Sequence, residues 1–340
     1  MAVTLLHEEP SLKYLLGIVL TISITVSRDS RLPGIGTVNP STGQPISDDA
    51  KTGHVSLLTR VIMPGNRQPD LAAVTAPPEA VRQQFRLADF YQKWTDLDGF
   101  PIVSSAAVRD TALREARWLI HKMIGHRPDI LEAMTDKGVR FTVMAYSERT
   151  TDVPEHSDLK PKKYWDRRAR GLGATPSRPS VSCGEENLLK FPGDPYATEN
   201  ILIHEFGHAI HEMGLSTTHP DFDQKLKDTF DQAIQRGLWK DTYAATNKEE
   251  YWAEGVQSWF NTNRENDSDH NHINTRSELR DYDPGLSQLL AGVFGDRAWR
   301  YSPPATRSNL PHLRRYDPST APTFSWSQPA KQQGKDPEAQ

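Results

Sequence analysis

His204 and His208 lie four residues apart, and Glu205 directly follows the first of them. They form an HExxH pattern on a segment that we expect to be helical. On a helix, two residues at this spacing share one face, so both imidazoles can reach a single metal ion. Glu205 then flanks the ion, where its carboxylate can take a proton from metal-bound water. The pattern predicts a catalytic metal ion with Glu205 as general base.

The helix that carries this motif is expected to open at Asp194-Pro195 and to continue to about Met213. Its apolar face comprises Leu202, Ile203, Phe206, Ala209, Ile210 and Met213. Its polar face, a band about 120° wide, comprises His204, Glu205, His208, His211 and Glu212. A polar face made of metal-site residue types favours a metal centre. The alternative is a surface helix that holds histidines by chance.

A zinc site of this kind needs a third protein ligand, which leaves a fourth position for water. In the pattern HExxHxxGxxH a further histidine supplies it. Here His211 stands at the glycine position and Gly214 at the last histidine position, which excludes that subclass. His211 lies two helical turns from His204, too far for both to bind one ion along with a residue between them. We interpret His211 as a neighbour of the site or as a plain surface residue.

A better candidate for the third ligand lies on the helix expected at 249–260. Its apolar face comprises Trp252, Ala253, Val256, Trp259 and Phe260. Glu250, Glu254 and Gln257 form a separate narrow stripe. Glu250 could bind the metal, and Glu254 could accept the free N–H of a ligating histidine. The aromatic surroundings argue for burial, and a buried carboxylate needs a metal or a hydrogen-bond partner. The alternative is a solvated acidic face.

Three motifs together resemble the anthrax lethal factor-like gluzincin metallopeptidases. They are HEFGH at 204–208, the segment Tyr243-Ala-Ala-Thr-Asn247 and the segment Glu250-Tyr-Trp-Ala-Glu254. As in that family, the tyrosine precedes the glutamate by seven residues. The similarity covers about residues 195–261 and does not extend to the toxin's receptor-binding part. Substrate specificity is therefore not implied.

The resemblance implies an activity and a role for each residue of these motifs. The activity is hydrolysis of peptide bonds in a peptide or protein substrate, with one Zn²⁺ ion. The ligands would be His204, His208 and Glu250, with Glu205 as general base, Tyr243 as oxyanion donor and Glu254 as support. Two alternatives keep the fold: a catalytically inactive binding module, and a zinc hydrolase that does not act on peptides.

Helices outnumber strands in the predicted pattern, and the strands come first, which favours an α+β fold. With the resemblance, we expect a zincin-like domain: a small sheet with an edge strand beside the HExxH helix, and a C-terminal helical subdomain. The expected helices lie at 106–124, from Pro128, at 222–237, at 249–260 and at 286–294, with a strand at 139–145 and a loop at 147–180.

The extended segment Ser180–Leu189 is the expected edge strand, to which a peptide substrate could add by main-chain hydrogen bonds. Cys183 lies within it and is the chain's one cysteine. We interpret Cys183 as a buried structural thiol; the alternative is a latency switch that binds zinc. A single cysteine excludes a disulfide framework and any zinc site built on CxxC pairs.

The remaining chain properties bound the class of protein. With 40 basic and 44 acidic residues, the net charge of −4 gives no electrostatic case for a nucleic-acid partner. Residues 14–27 are uncharged but too few to span a membrane. They could belong to a signal peptide at 1–27, which would make the protein secreted or extracytoplasmic; as a strand, they leave it cytoplasmic.

Composition divides the chain into four parts. Gly and Pro are frequent at 28–80, which we interpret as leader and linker. Residues 303–340 are rich in proline and polar side chains and are predicted to be disordered. The catalytic domain is predicted at 81–302.

Overall fold

A computed structural model of the chain describes residues 72–327, all of which belong to the compact unit Val61–Gln340. The signal segment or strand expected at 1–27, most of the linker expected at 28–80 and the tail beyond Ser327 lie outside the described residues. The domain limits therefore stay predictions.

A small mixed sheet forms the first part of this unit. Its strands are β1 (Lys93–Leu97), β2 (Phe100–Ser104), β3 (Arg140–Met144), β4 (Gly171–Leu172) and β5 (Ser180–Gly184). Their order across the sheet is β1-β2-β3-β5-β4. The inner strands β2, β3 and β5 run parallel, whereas β1 and β4 are antiparallel to their neighbours. The strand expected at 139–145 is confirmed as β3.

Helices pack against this sheet. Among the described residues, four helices lie before or between the strands and seven follow the last strand, so the α+β prediction is confirmed. They are α1 (Glu79–Phe85), α2 (Asp110–Ile124), α3 (Pro128–Asp136), α4 (Lys162–Arg168), α5 (Glu185–Leu189), α6 (Ile201–Ala209), α7 (Ser216–Thr218), α8 (Phe222–Gln235), α9 (Lys248–Trp259), α10 (Arg276–Tyr282) and α11 (Pro284–Phe294). A π-helical segment, Ile210–Leu215, joins α6 to α7. Short 3₁₀ turns lie at Thr150–Asp152, Pro154–His156, Tyr243–Ala245, Pro304–Arg307, Pro311–Leu313 and Pro318–Thr320.

The five expected helices are confirmed as α2, α3, α8, α9 and α11. The structure adds short helices that carry little periodic signal, among them α4 within the expected loop at 147–180. Between residues 72 and 327, every helix is too short or too polar to cross a bilayer.

The edge strand beside α6 differs from the prediction. Only Ser180–Gly184 of the expected segment is extended, and it lies between β3 and β4 rather than at the edge. Residues Glu185–Leu189 form α5 instead. The two-residue strand β4 takes the edge, where it pairs antiparallel with β5 and the backbone N–H of Leu172 also donates to Ser182 Oγ at 3.1 Å. So short a strand carries no periodicity that a sequence could reveal.

Helix α6 begins at Ile201 rather than at Asp194-Pro195. Asp194 Oδ1 accepts a hydrogen bond from the Tyr196 backbone N–H at 2.9 Å, which closes a turn. Asn200 is the N-cap, since its Oδ1 accepts from the Ile203 N–H at 3.1 Å. The helix is therefore shorter than predicted, but the HExxH motif stays within it.

The packing of α6 against α9 brings the two predicted ligand helices together. A Cβ atom on Gly207 would lie 3.4 Å from the Val256 side chain, so the glycine allows close approach. Trp252 Nε1 donates to the Gly207 carbonyl at 2.9 Å. On the sheet side, the Phe206 ring packs edge-on against Phe100 at 5.6 Å between centroids. Helix α6 is therefore held between the sheet and α9.

The described part of the tail, residues 303–327, is ordered, which corrects the prediction of disorder there. Arg307 Nη1 donates to the buried Glu115 Oε2 on α2 at 2.8 Å, and His312 Nε2 lies 2.9 Å from the same oxygen. The His312 ring stacks on Trp118 at 5.1 Å. A buried ion pair and ring stacking replace the apolar content that the tail lacks, and composition cannot show such contacts.

Candidate metal centre

The side chains of His204, His208 and Glu250 meet at one point between α6 and α9. The Nε2 atoms of the two histidines are 3.2 Å apart. Glu250 Oε2 is 3.3 Å from His204 Nε2 and 3.4 Å from His208 Nε2. Donors about 2.0–2.1 Å from a tetrahedral zinc ion lie about 3.3–3.4 Å from one another. The three atoms therefore have the spacing of three zinc ligands.

The charges around this triangle favour a cation. Glu250 Oε2 is buried and makes no hydrogen bond of good geometry within residues 72–327. Burial alone lowers the pKa of His204, but the carboxylates of Glu250, Glu205 and Glu254 outweigh it and raise this pKa well above its usual value. An oxygen without a hydrogen bond in a field of several carboxylates is a site that a metal ion would stabilise.

Local capping sets the position of Glu250. Asn247 is the N-cap of α9, and its Oδ1 accepts from the backbone N–H of Glu250 at 2.7 Å. This bond fixes the first turn of the helix. The Glu250 side chain therefore leaves the first turn of α9 towards the HExxH face of α6.

Glu205 lies beside the triangle, close to β4. A Cβ atom on Gly171 would lie 2.9 Å from Glu205 Cγ, and one on Gly173 would lie 3.7 Å from Glu205 Oε2. Burial raises the pKa of Glu205, although His204 and His208 counteract part of this effect. A carboxylate at this place can accept a proton and return it.

Tyr243 also lies at the site. Its ring stacks along His204, with 6.5 Å between centroids and 29° between planes, and its backbone N–H donates to the Asp269 carbonyl at 2.7 Å. Burial raises the pKa of Tyr243, and so do the negative charge of Glu250 and a hydrogen bond to it. The phenol therefore stays protonated, and its hydroxyl can donate a hydrogen bond.

The Nδ1 atom of His204, which faces away from the triangle, lies closest to Gln257, a residue to which the sequence motifs give no role. His204 Nδ1 is 2.8 Å from Gln257 Oε1 and 3.6 Å from Glu254 Oε1. Glu254 is itself bound by Asn263 Nδ2 at 2.9 Å and lies 3.3 Å from His270 Nε2. Gln257 lies on the same predicted polar stripe as Glu250, so its position near the site could be predicted from helical spacing. Asn263 and His270 lie outside the sequence motifs, and no regular spacing predicts their contacts with Glu254.

His211 is buried rather than a plain surface residue, and it is not one of the three donors of the triangle. Its Nε2 is 3.1 Å from Asp223 Oδ1 on α8, and Lys248 binds the same carboxylate. His211 joins α8 to the end of the active-site helix.

Cys183 is fully buried in β5. This burial agrees with its interpretation as a structural thiol. Burial raises the pKa of its thiol well above the usual value, and its Sγ–H faces the Gly184 carbonyl at 3.4 Å. The group of metal donors does not include Cys183. This environment favours an inert thiol over a latency switch.

Comparisons with known proteins found little. No protein-family model matches the chain, and no curated protein matches it. Among solved structures, it is similar to the PRO-PRO endopeptidase (PPEP-2) from Paenibacillus alvei, with 20% sequence identity, a TM-score of 0.31, and coverage of 55% of this chain and 92% of that chain. We assign neither a fold family nor an activity from so low a TM-score.

Proposed function

We propose that the chain is a zinc-dependent metallopeptidase, a gluzincin of the lethal factor-like type with a zincin-like fold. The observation that supports it most is the triangle of His204 Nε2, His208 Nε2 and Glu250 Oε2, with sides of 3.2–3.4 Å. Glu205 of α6 lies beside this triangle, and its side chain packs against the edge strand β4.

In this proposal His204, His208 and Glu250 would hold one zinc ion. Bound zinc supplies positive charge that polarises a carbonyl group and lowers the pKa of water. Glu205 accepts the proton from the attacking water and returns it to the leaving amine. The Tyr243 hydroxyl donates a hydrogen bond to the oxygen on which negative charge develops.

The open edge of β4 offers a place for an extended substrate. The Arg170 carbonyl accepts from the Gly184 N–H at 2.9 Å, and Leu172 also faces β5. Because strand residues alternate in direction, the backbone groups of Gly171 and Gly173 face away from β5. Within residues 72–327 no strand pairs with that edge. A peptide added there would be bound on both sides of the scissile bond, which favours an endopeptidase.

Cleavage of a peptide library by the full chain tests this function. We expect the zinc-loaded wild type to cleave a subset of peptides and the Glu205→Gln variant to bind zinc but leave them intact. The conservative variant removes the base and keeps the size of the side chain. Full peptidase activity in Glu205→Gln would contradict the role of Glu205. A zinc-loaded wild type that cleaves no peptide would contradict the peptidase and favour one of the two alternative functions.

A further inference from the structure

A buried line of polar side chains leads from His204 away from the metal triangle. His204 Nδ1 lies 2.8 Å from Gln257 Oε1. Gln257 Nε2 in turn donates to Glu199 Oε2 at 2.9 Å. Gln257 is fully buried, and Glu199 is 6% exposed. This line differs from the acidic support expected from the sequence, since a neutral amide stands between the histidine and the nearest carboxylate on this path.

The Glu199 carboxylate determines which way the Gln257 amide points. A carboxylate only accepts hydrogen bonds, so the amide NH₂ must face Glu199. The amide oxygen then faces His204 and can only accept. A flipped amide would place two oxygens against each other in a buried site, which is costly.

This orientation in turn determines the tautomer of His204. Because Gln257 Oε1 only accepts, the proton of the neutral imidazole must be on Nδ1. The Nε2 atom then keeps its lone pair and faces His208 and Glu250 across 3.2 Å and 3.3 Å. A metal ligand needs that lone pair.

Glu199 is itself held at a defined place. Its backbone carbonyl accepts from Lys190 Nζ at 2.6 Å and from Asn187 Nδ2 at 3.1 Å. Its Oε1 lies 3.4 Å from Arg264 Nη1. Glu199 also directly precedes Asn200, the N-cap of α6. The carboxylate is therefore fixed relative to the helix that carries His204.

We propose that Glu199 is a positioning residue for the metal centre: by orienting Gln257, it holds His204 in the tautomer and the ring orientation that bind the metal. This inference rests on the proposed zinc site. Glu199 itself does not touch the three donors, so its hydrogen-bonded route to the metal site runs through Gln257 and His204.

Two variants test the proposal, and zinc affinity is the readout. In Glu199→Gln the new side chain can donate as well as accept, so it no longer dictates the orientation of Gln257. In Gln257→Leu the acceptor for His204 is lost. We expect both variants to bind zinc about 10–100-fold more weakly than the wild type, the range typical of lost partners of metal-bound histidines. Competition with a chelator measures the affinity.

Asp194→Asn provides the matched control. Asp194 is buried, precedes α6 as Glu199 does, and accepts from Asn187 Nδ2 at 3.0 Å. Asn187 contacts the backbone carbonyl of Glu199 and not its carboxylate, so Asp194 does not set the orientation of the Gln257 amide. We expect this variant to bind zinc as the wild type does, even if its stability falls. The visible spectrum of the cobalt-substituted protein gives a second readout, because it responds to ligand geometry and not to global stability. We expect this spectrum to change in Glu199→Gln and to stay unchanged in Asp194→Asn.

Distinct results overturn the inference and the proposed function. Unchanged zinc affinity in Glu199→Gln, or an equal loss in Asp194→Asn, would overturn the positioning role alone. A wild type that binds no zinc would overturn both. A wild type that binds zinc but cleaves no peptide would overturn only the peptidase function.

Discussion

His156 and His204 are both largely buried, but their surroundings shift their pKa values in opposite directions. Burial lowers the pKa of His156 to about 4, and Glu155 offsets this only in part. Around His204, three carboxylates outweigh burial and raise the pKa. Burial alone therefore does not mark the metal centre. What distinguishes the metal centre is the set of carboxylates that faces its two imidazoles.

We expect His156 to make the protein less stable in acid. The unfolded chain takes up a proton on this residue near pH 6.5, whereas the folded chain excludes it until about pH 4. Stability from this residue is therefore present above pH 6.5 and is lost as pH falls towards 4, by about 3 kcal/mol in total. Urea unfolding across this range should show a smaller acid loss in His156→Asn. An identical loss in both proteins would contradict the assignment.

For Tyr243 we expect an effect on turnover rather than on metal binding. The Tyr243→Phe variant keeps the ring that stacks along His204 but loses the hydroxyl. Loss of one donor to a developing oxyanion typically lowers the rate about 10²–10³-fold. Steady-state kinetics on a cleaved peptide, with zinc content measured in parallel, tests this. A kcat close to that of the wild type would contradict the role.

Sequence spacing could identify His204, Glu205 and His208 because one helix holds all three. Glu250 followed from a resemblance and from its place on an amphipathic helix, and the structure brings it to the other two donors. Glu199 carries no such signal. Its contact with Gln257 depends on how the turn before α6 packs against α9, which no local pattern specifies.

At the scale of elements, helices of ten residues or more were predictable and the edge of the sheet was not. Amphipathic periodicity over several turns identifies α2, α8 and α9. Strand β4 has two residues, Gly171 and Leu172. Residue 171 must be a glycine because a Cβ atom there would collide with side chains of α6. Gly171 and the first residue of α6, Ile201, are 30 residues apart in the chain. Only the folded structure shows this close approach.

We expect Gly171→Ala to force β4 away from α6. The new Cβ would lie 2.9 Å from Glu205 Cγ and 2.9 Å from the Ser182 carbonyl oxygen. Overpacking of this kind costs about 1–3 kcal/mol, and peptidase activity should fall because Glu205 is displaced. Urea unfolding and peptide cleavage measure the two effects.

Gly292→Ala is the control for this substitution. Gly292 lies in α11 and is exposed, and an added Cβ would meet no other described atom within 4 Å. Alanine should stabilise this helix by up to about 1 kcal/mol without changing activity. If Gly171→Ala were as stable and active as Gly292→Ala, the close approach of β4 to Glu205 would be refuted.

At the scale of the whole described unit, the C-terminal segment belongs to the folded structure. The Glu115 carboxylate is fully buried on α2. Burial raises its pKa, but hydrogen bonds and charges from Arg307 and His312 outweigh this and lower it. Glu115 and Arg307 are 192 residues apart in the chain. Composition alone therefore predicts disorder for this segment. The structure shows that Arg307 and His312 bind Glu115 on α2 and that His312 also stacks on Trp118.

We expect Arg307→Met to destabilise the protein by about 3 kcal/mol, because it leaves a buried carboxylate without its main partner. The exposed Arg314 in the same segment gives the matched control, and Arg314→Met should change stability by less than about 0.5 kcal/mol. Urea unfolding at neutral pH compares the two. Equal stability of both variants would show that the tail does not depend on this ion pair.

The zinc content of the purified full chain tests the central claim, that His204, His208 and Glu250 form one metal site. We expect one zinc ion per wild-type chain and none in His204→Ala. His211→Ala should keep its zinc, because His211 lies on the continuation of the same helix but pairs with Asp223. A wild type without zinc, or a His204→Ala variant that still holds one ion per chain, would contradict the account.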